Sequence, residues 1–355
     1  MAQHSRRQFL WFSSALGSSL LLKACASSTP QASSSPNVSA SPAANGSGLK
    51  AAIVLPGVIT DKAWNQAGYE GMGAIKSKLN AEVTYIEKVG QADQAEALSD
   101  FARRGFNLVY AHGGQFDAAI KQVAPQFPKT FFIGVNGAAT GSNIAALQID
   151  HLQASYLCGI VGATLSKSGK LAYLAGQEFQ ATQDELRGFI LGAKSVKPDV
   201  QVSSSFTGDW NDVARAKEAT LALISAGADV IYQWLDNASP TVLQTAADKG
   251  VYAFGNTADQ LEVAPKAVLT SAVKRIDLAI AYLADLASKN TLKGEVYSLG
   301  LDKTDILYLG KTGAAVPKDL QDKVKATETA IVSKKLTFES CSESGKTTRC
   351  AKGAA

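Results

Sequence analysis

The chain has 355 residues, with 35 Lys or Arg against 31 Asp or Glu, three His, four Cys and a formal charge of +4. Removing residues 1–24 takes away Arg6, Arg7 and Lys23 and no acid, so the charge falls by three to +1, and no basic surface for nucleic acid is implied. One of the few histidines lies in that same leading segment and no Cys/His cluster has zinc spacing, so the sequence offers no metal centre and implies no cofactor.

Residues 1–24 combine a charged start, a short apolar stretch broken by Gly17 and serines, and a small residue before Cys25, the pattern of a secretory signal peptide. Ser5-Arg6-Arg7-Gln8-Phe9-Leu10 resembles a twin-arginine export signal, with Trp11 where that pattern favours Lys; a general secretory route stays open. Leu22-Lys23-Ala24-Cys25 resembles a bacterial lipobox, atypical at Lys23, which predicts acylation of Cys25 and a lipid anchor at the outer or periplasmic face of the cell membrane. An ordinary secretion signal with a coincidental Cys25 is the alternative. Residues 26–48 are almost entirely Ser, Ala, Pro, Asn, Thr and Gly and read as a flexible tether, spanning about 25 Å root-mean-square.

From residue 49 onward two periods alternate. Short apolar runs at 50–55, 83–87, 108–111, 131–135, 144–149, 170–174, 200–206, 230–233, 251–255 and 267–272 read as strands. Between them, 63–79, 91–104, 116–126, 152–166, 183–197, 212–226, 240–249 and 274–288 read as amphipathic helices. Apolar strands separated by helices predict an α/β fold with parallel sheets covered on both faces. The number of strands predicts two doubly wound lobes within residues 49–335, the first of about 49–150 plus 256–290 and the second of about 151–255 plus 291–335. Late strands at 295–299 and 305–309, separated by a turn, are expected to cross back between lobes, and a helix near 317–333 closes the body.

In such sheets ligands bind beyond the carboxyl ends of the strands. After the first strand come Asp61, a candidate helix cap, then Trp64 and Asn65, an aromatic platform beside an amide. After the third come His112, Gly113 and Gly114, where glycines let the backbone approach a ligand and His112 is either a ligand contact or a structural residue. The second half offers Trp210 flanked by Asp209, Asn211 and Asp212, then Asp236 with Asn237, Asp259 and Lys274. Two tryptophans, one from each lobe, could sandwich a flat ring, with Asp236, Asp259 and Lys274 as partners for hydroxyls or amides.

Cys158 lies in an apolar helical stretch and reads as a buried small hydrophobe. Cys341 and Cys350 flank a short polar loop, 342–349, in the tail, 336–355, and predict a local disulfide in an oxidising compartment. Enzyme readings are poorer. Gly310-Lys311-Thr312 and Gly345-Lys346-Thr347 lack the earlier glycine of a phosphate loop, and no Gly-x-Ser-x-Gly elbow exists. A nucleoside hydrolase built on carboxylates survives as an alternative, although it needs a tight acidic cluster and the candidate acids are scattered.

Asp61-Lys62-Ala63-Trp64-Asn65-Gln66-Ala67-Gly68-Tyr69-Glu70-Gly71 resembles the signature of the basic membrane protein (BMP) family, purine nucleoside receptors of ABC transporters. Ser166–Lys170, Gly208–Asp212, Gly227–Ile231 and Val268–Ser271 are similar to that family in the same order. The resemblance implies a type I periplasmic binding protein whose two lobes are joined by a hinge and close on ligand, without catalysis. It implies that Trp64 and Trp210 stack on the base, that Asp61 and Asn65 read its edge, and that Asp236 and Lys274 meet the ribose, with Asp259 nearby. It also implies delivery to a membrane permease; a lipoprotein that senses the ligand without transporting it would share the same pocket. Both stacking positions commonly carry Phe in the family, and the loop at 112–117 departs from its usual Gly-Phe-rich form.

Overall fold

The computed structural model describes residues 48–61, 64–343 and 346–353. The signal segment, Cys25 and nearly all of the tether lie outside the described residues.

The first half alternates β1 (Lys50–Val54), α1 (Trp64–Leu79), β2 (Glu82–Ile86), α2 (Gln94–Arg103), β3 (Leu108–His112), α3 (Asp117–Val123), β4 (Phe131–Val135) and β5 (Ile144–Ile149). The second alternates α4 (His151–Leu165), β6 (Lys170–Ala175), α5 (Gln180–Val196), β7 (Gln201–Phe206), α6 (Val213–Ser225), β8 (Val230–Trp234), α7 (Ser239–Asp248), β9 (Tyr252–Thr257) and β10 (Val268–Lys274). Then follow α8 (Ile276–Ser288), β11 (Val296–Leu299), β12 (Leu307–Leu309), α9 (Lys318–Val332), β13 (Leu336–Glu343) and β14 (Lys346–Gly353).

Two six-stranded sheets result, ordered β11-β5-β4-β3-β1-β2 and β12-β10-β9-β8-β6-β7. The first is parallel throughout. In the second only β12 runs antiparallel, against β10. In each sheet the strand order reverses beside its first strand, between β1 and β3 and between β6 and β8, which makes those carboxyl ends the natural crevice. The central strands are buried along nearly their whole length, which is why they read as uninterrupted apolar runs.

Sheet membership corrects the expected lobes. Val268–Lys274, placed with the first lobe in the segment 256–290, pairs with β9 in the second sheet. Val296–Leu299, placed with the second lobe in 291–335, pairs with β5 in the first. Hydrophobic period identifies a strand but not its neighbour. The crossing falls one residue past Lys274, and α8 returns to pack on α1, where a Cβ at Gly71 would press on Ile280 at 2.9 Å. The chain therefore crosses between sheets at Asp150, at Arg275 and through residues 300–306. These crossings are tied in pairs, Asp150 N–H to Leu299 O at 2.9 Å and Arg275 N–H to Ile306 O at 2.8 Å. The Gln153 amide links the first to the last, donating to Asp150 Oδ2 at 3.0 Å and accepting from Leu301 N–H at 2.9 Å.

Helix α4 is buried almost all round, including Cys158, whose thiol burial pushes far up its pKa. It crosses α5 closely because Gly159, Gly188 and Gly192 leave no Cβ between the backbones. The tail forms an antiparallel hairpin of β13 and β14, mostly strand where a polar loop was expected. Cys341 and Cys350 are joined in it by a disulfide with Cα atoms 5.9 Å apart. Arg187 on α5 holds the hairpin, donating to Glu343 Oε1 at 2.7 Å and to Arg349 O at 2.6 Å. No described helix is long and apolar enough to cross a membrane.

Candidate functional site at the strand ends

On the first lobe the segment after β1 is organised by the start of α1. Asp61 accepts from the backbone N–H of Asn65 at 2.9 Å and of Gln66 at 3.0 Å, so it caps the helix and satisfies donors the first turn leaves open. The Asn65 amide donates to Asp61 Oδ2 at 2.7 Å and accepts from Gly57 N–H at 2.9 Å. The two residues expected to read a base edge are thus together, but much of their hydrogen-bonding capacity holds the loop. Ile59 N–H donates to Glu87 Oε2 at 2.8 Å and ties the same loop to the end of β2.

Trp64 is half-buried and stacks on His112, with ring centroids 4.0 Å apart and planes 19° apart. His112 Nε2 donates to Trp64 O at 2.7 Å, and the indole N–H reaches back to His112 O at 3.4 Å. Burial lowers the imidazole pKa from 6.5 to about 4, against the opposing pull of that hydrogen bond and of Asp61, so the ring is neutral near pH 7. A Cβ at Gly68 would sit 2.8 Å from Nε2, so only glycine there lets the imidazole in. His112 is fully buried and is a pedestal for Trp64. Gly113 adopts φ +138°, and a Cβ at Gly114 would meet Asn136 O at 2.7 Å, so Gly114 serves a close backbone crossing.

On the second lobe, Trp210 packs over Gly176 at the end of β6, where a Cβ would overlap its indole. Its ring lies 6.4 Å from that of Phe179 and 6.0 Å from that of Trp234. Asp236 N–H donates to Trp210 O at 3.0 Å and Asn237 Nδ2 to Asn211 Oδ1 at 2.9 Å, stitching the loops after β7 and β8 together. Asp212 caps α6 through Arg215 N–H at 2.9 Å. Burial raises the Asp236 carboxyl pKa from 3.8 to about 6, and the charge of Asp61 on the opposite lobe adds to it. The two carboxylates, one from each lobe, are thus near enough for their charges to interact.

Two expected residues lie elsewhere. Asp259 is exposed, and its carboxylate accepts from Lys311 N–H at 3.1 Å and Leu261 N–H at 3.3 Å, clamping the loop after β9. The Lys274 side chain is 2% exposed; its Nζ donates to Glu185 Oε1 at 2.6 Å and lies 3.4 Å from the Trp234 ring centroid. Burial lowers the Lys274 pKa and Glu185 opposes the fall. Glu185 also accepts from Tyr232 OH at 2.8 Å, Asn256 Nδ2 at 3.0 Å and Tyr173 OH at 3.1 Å. The sequence reading missed Glu185, Trp234 and Phe179. Trp234 had a readable signal, since it ends a strand whose neighbours in the chain, Asp236 and Asn237, were singled out. Among the described residues no cluster of three or more His, Cys, Asp or Glu is placed to hold a metal.

The raised Asp236 pKa has a signed consequence. A folded-state value above the unfolded one means the native protein binds the proton more tightly, so Asp236 destabilises the empty protein above about pH 6 and this is relieved as pH falls towards 3.8. Asp236→Asn is expected to raise the melting temperature at pH 7 and to remove that acid-side gain. Melting curves from pH 4 to 7 check it, and an unchanged pH profile would contradict it.

Two doubly wound sheets, joined by three crossing segments and meeting at their carboxyl ends, define a type I periplasmic solute-binding fold. The same fold is found in an ABC transporter solute-binding protein of Aeropyrum pernix, at TM-score 0.70 and 19% identity over 82% of this chain and 93% of that one. The chain belongs to the Bmp family, the PnrA-like ABC transporter substrate-binding proteins, which it matches over residues 49–344. It is 31% identical over 276 residues to the transcriptional activator protein Med of Bacillus subtilis, covering 78% of this chain and 86% of Med. It is 32% identical over 231 residues to a purine-binding protein of Brucella abortus, covering 63% of this chain and 65% of that one.

Proposed function

We propose that this protein captures a purine nucleoside or a related purine between its lobes and delivers it to a membrane permease while held at the membrane by lipid on Cys25. The observation that carries the reading is the pair of partly exposed tryptophans, Trp64 and Trp210, one at the crevice end of each lobe, with Asp61 and Asp236 beside them. Aromatic faces supply affinity for a flat ring, and buried acceptors reject ligands lacking matching donors. The similarity to a purine-binding protein supports the same ligand class. The mechanism is recognition and hinge closure without a chemical step.

Calorimetry against purines, pyrimidine nucleosides and simple sugars tests it. Purines are expected to bind and to be recovered unchanged; binding confined to sugars, or product formation, would overturn it. Cys25→Ser is expected to move the protein from the membrane to the soluble fraction. The similarity to Med favours a second reading, a sensor that reports the ligand to a partner. Purine uptake that survives deletion of the protein would select the sensor.

A further inference from the structure

We propose that the crevice takes a purine base without its sugar in preference to the nucleoside, and that Trp234 sets this choice by covering Lys274. The inference rests on the purine reading above and narrows it. Lys274 ends β10, at the carboxyl end of a strand of the second sheet, where an ammonium could be offered to a ligand. It is not offered. Its side chain is 2% exposed, and it is bonded to a Glu185 that is itself fully buried. Glu185 gathers Tyr173, Tyr232 and Asn256 as well, so the carboxylate is fully engaged and fixes the ammonium beneath the rim.

Trp234 completes the cover. Its face lies on the Lys274 ammonium at 3.4 Å, a close cation–π contact, and the indole is partly exposed where the ammonium is not. The same indole neighbours Trp210 at 6.0 Å and His151 at 4.8 Å. His151 at the first crossing is buried, and burial holds it neutral. A sugar extending from a base stacked on Trp210 towards Trp234 would thus turn its hydroxyls against aromatic carbon. Buried hydroxyls without partners are strongly disfavoured. Asp61 and Asp236, whose charges interact between the lobes, are both carboxyls, and acceptors of this kind suit the N–H edges of a purine base.

The test is titration calorimetry of the purified protein with adenine, guanine and hypoxanthine and with their ribonucleosides. At least one base is expected to bind about tenfold or more tightly than its own nucleoside. Trp234→Ala, which uncovers Lys274, is expected to shift that ratio about tenfold towards the nucleoside, whereas Trp234→Phe, which keeps an aromatic cover, is expected to leave it nearly as found. Nucleosides binding as tightly as bases would overturn the base preference and leave the purine reading standing. Binding of neither class would overturn both. A ratio unchanged in a folded Trp234→Ala protein would remove Trp234 as its determinant; should that variant not fold, the wild-type ratio and the Phe variant decide.

Discussion

Glu185→Gln is expected to destabilise the protein by about 3–5 kcal/mol, because it strands the Lys274 ammonium inside the second lobe. Both partners are essentially out of water, 2% and 0% exposed, at 2.6 Å. A glutamine keeps one acceptor oxygen, for Tyr232 and Lys274 on the Oε1 side or for Tyr173 and Asn256 on the Oε2 side, and removes the charge, so Lys274 must either remain ionised without a counter-charge or release its proton. Replacing both members with neutral groups tells a different story. A buried ion pair exchanged for well-packed neutral side chains is often neutral or stabilising, so Glu185→Gln combined with Lys274→Met is expected to recover to within about 1–2 kcal/mol of wild type. Denaturant titrations of the three proteins check this. A single variant that loses less than about 1 kcal/mol would mean that the Lys274 charge is not needed in the folded lobe.

The pair also marks where the sequence stopped being readable. Lys274 was legible as a charged residue ending an apolar strand, but its partner lies 89 residues away on α5. Glu185 sits among Leu186, Phe189 and Ala193, all buried on the same helix. A carboxylate inside an apolar stripe is a local signal, yet it names no partner. The lobe boundaries failed for a related reason: alternation of periods located Val268–Lys274 and Val296–Leu299 as strands, while pairing with β9 or β5 is decided by where the chain crosses at Arg275. The strand-end rule points most clearly where the chain's own punctuation follows a strand, as at Asp61, Trp64 and the glycines after His112. It points least clearly after β6, where Gly176 looks unremarkable until Trp210 is seen lying on it. The tail hairpin escaped because Leu336–Glu343 presents polar side chains on both faces and carries no apolar alternation beyond Phe338.

The larger functional effect is expected at the two tryptophans. Base-on-aromatic stacking is worth about 1–3 kcal/mol by alanine substitution, so Trp64→Ala and Trp210→Ala should each weaken purine binding by about 5- to 150-fold. The two sites should not respond alike to gentler changes. Trp210 rests on the backbone of Gly176, and Asp236 N–H holds its carbonyl. Trp64 rests on a buried imidazole at 4.0 Å, locked by the reciprocal bonds of His112 Nε2 to Trp64 O and of the indole N–H to His112 O. His112→Ala therefore removes the pedestal while leaving both tryptophans in the chain. It should weaken binding through a freer Trp64, by less than Trp64→Ala itself, and add little in a protein already lacking Trp64. A double-mutant cycle measures this directly. If His112→Ala and Trp64→Ala cost the same separately and add fully together, His112 acts on the ligand by another route. If Trp64→Ala alone leaves affinity unchanged, the first lobe closes on the ligand with some other face, and the sandwich of one tryptophan from each lobe is wrong.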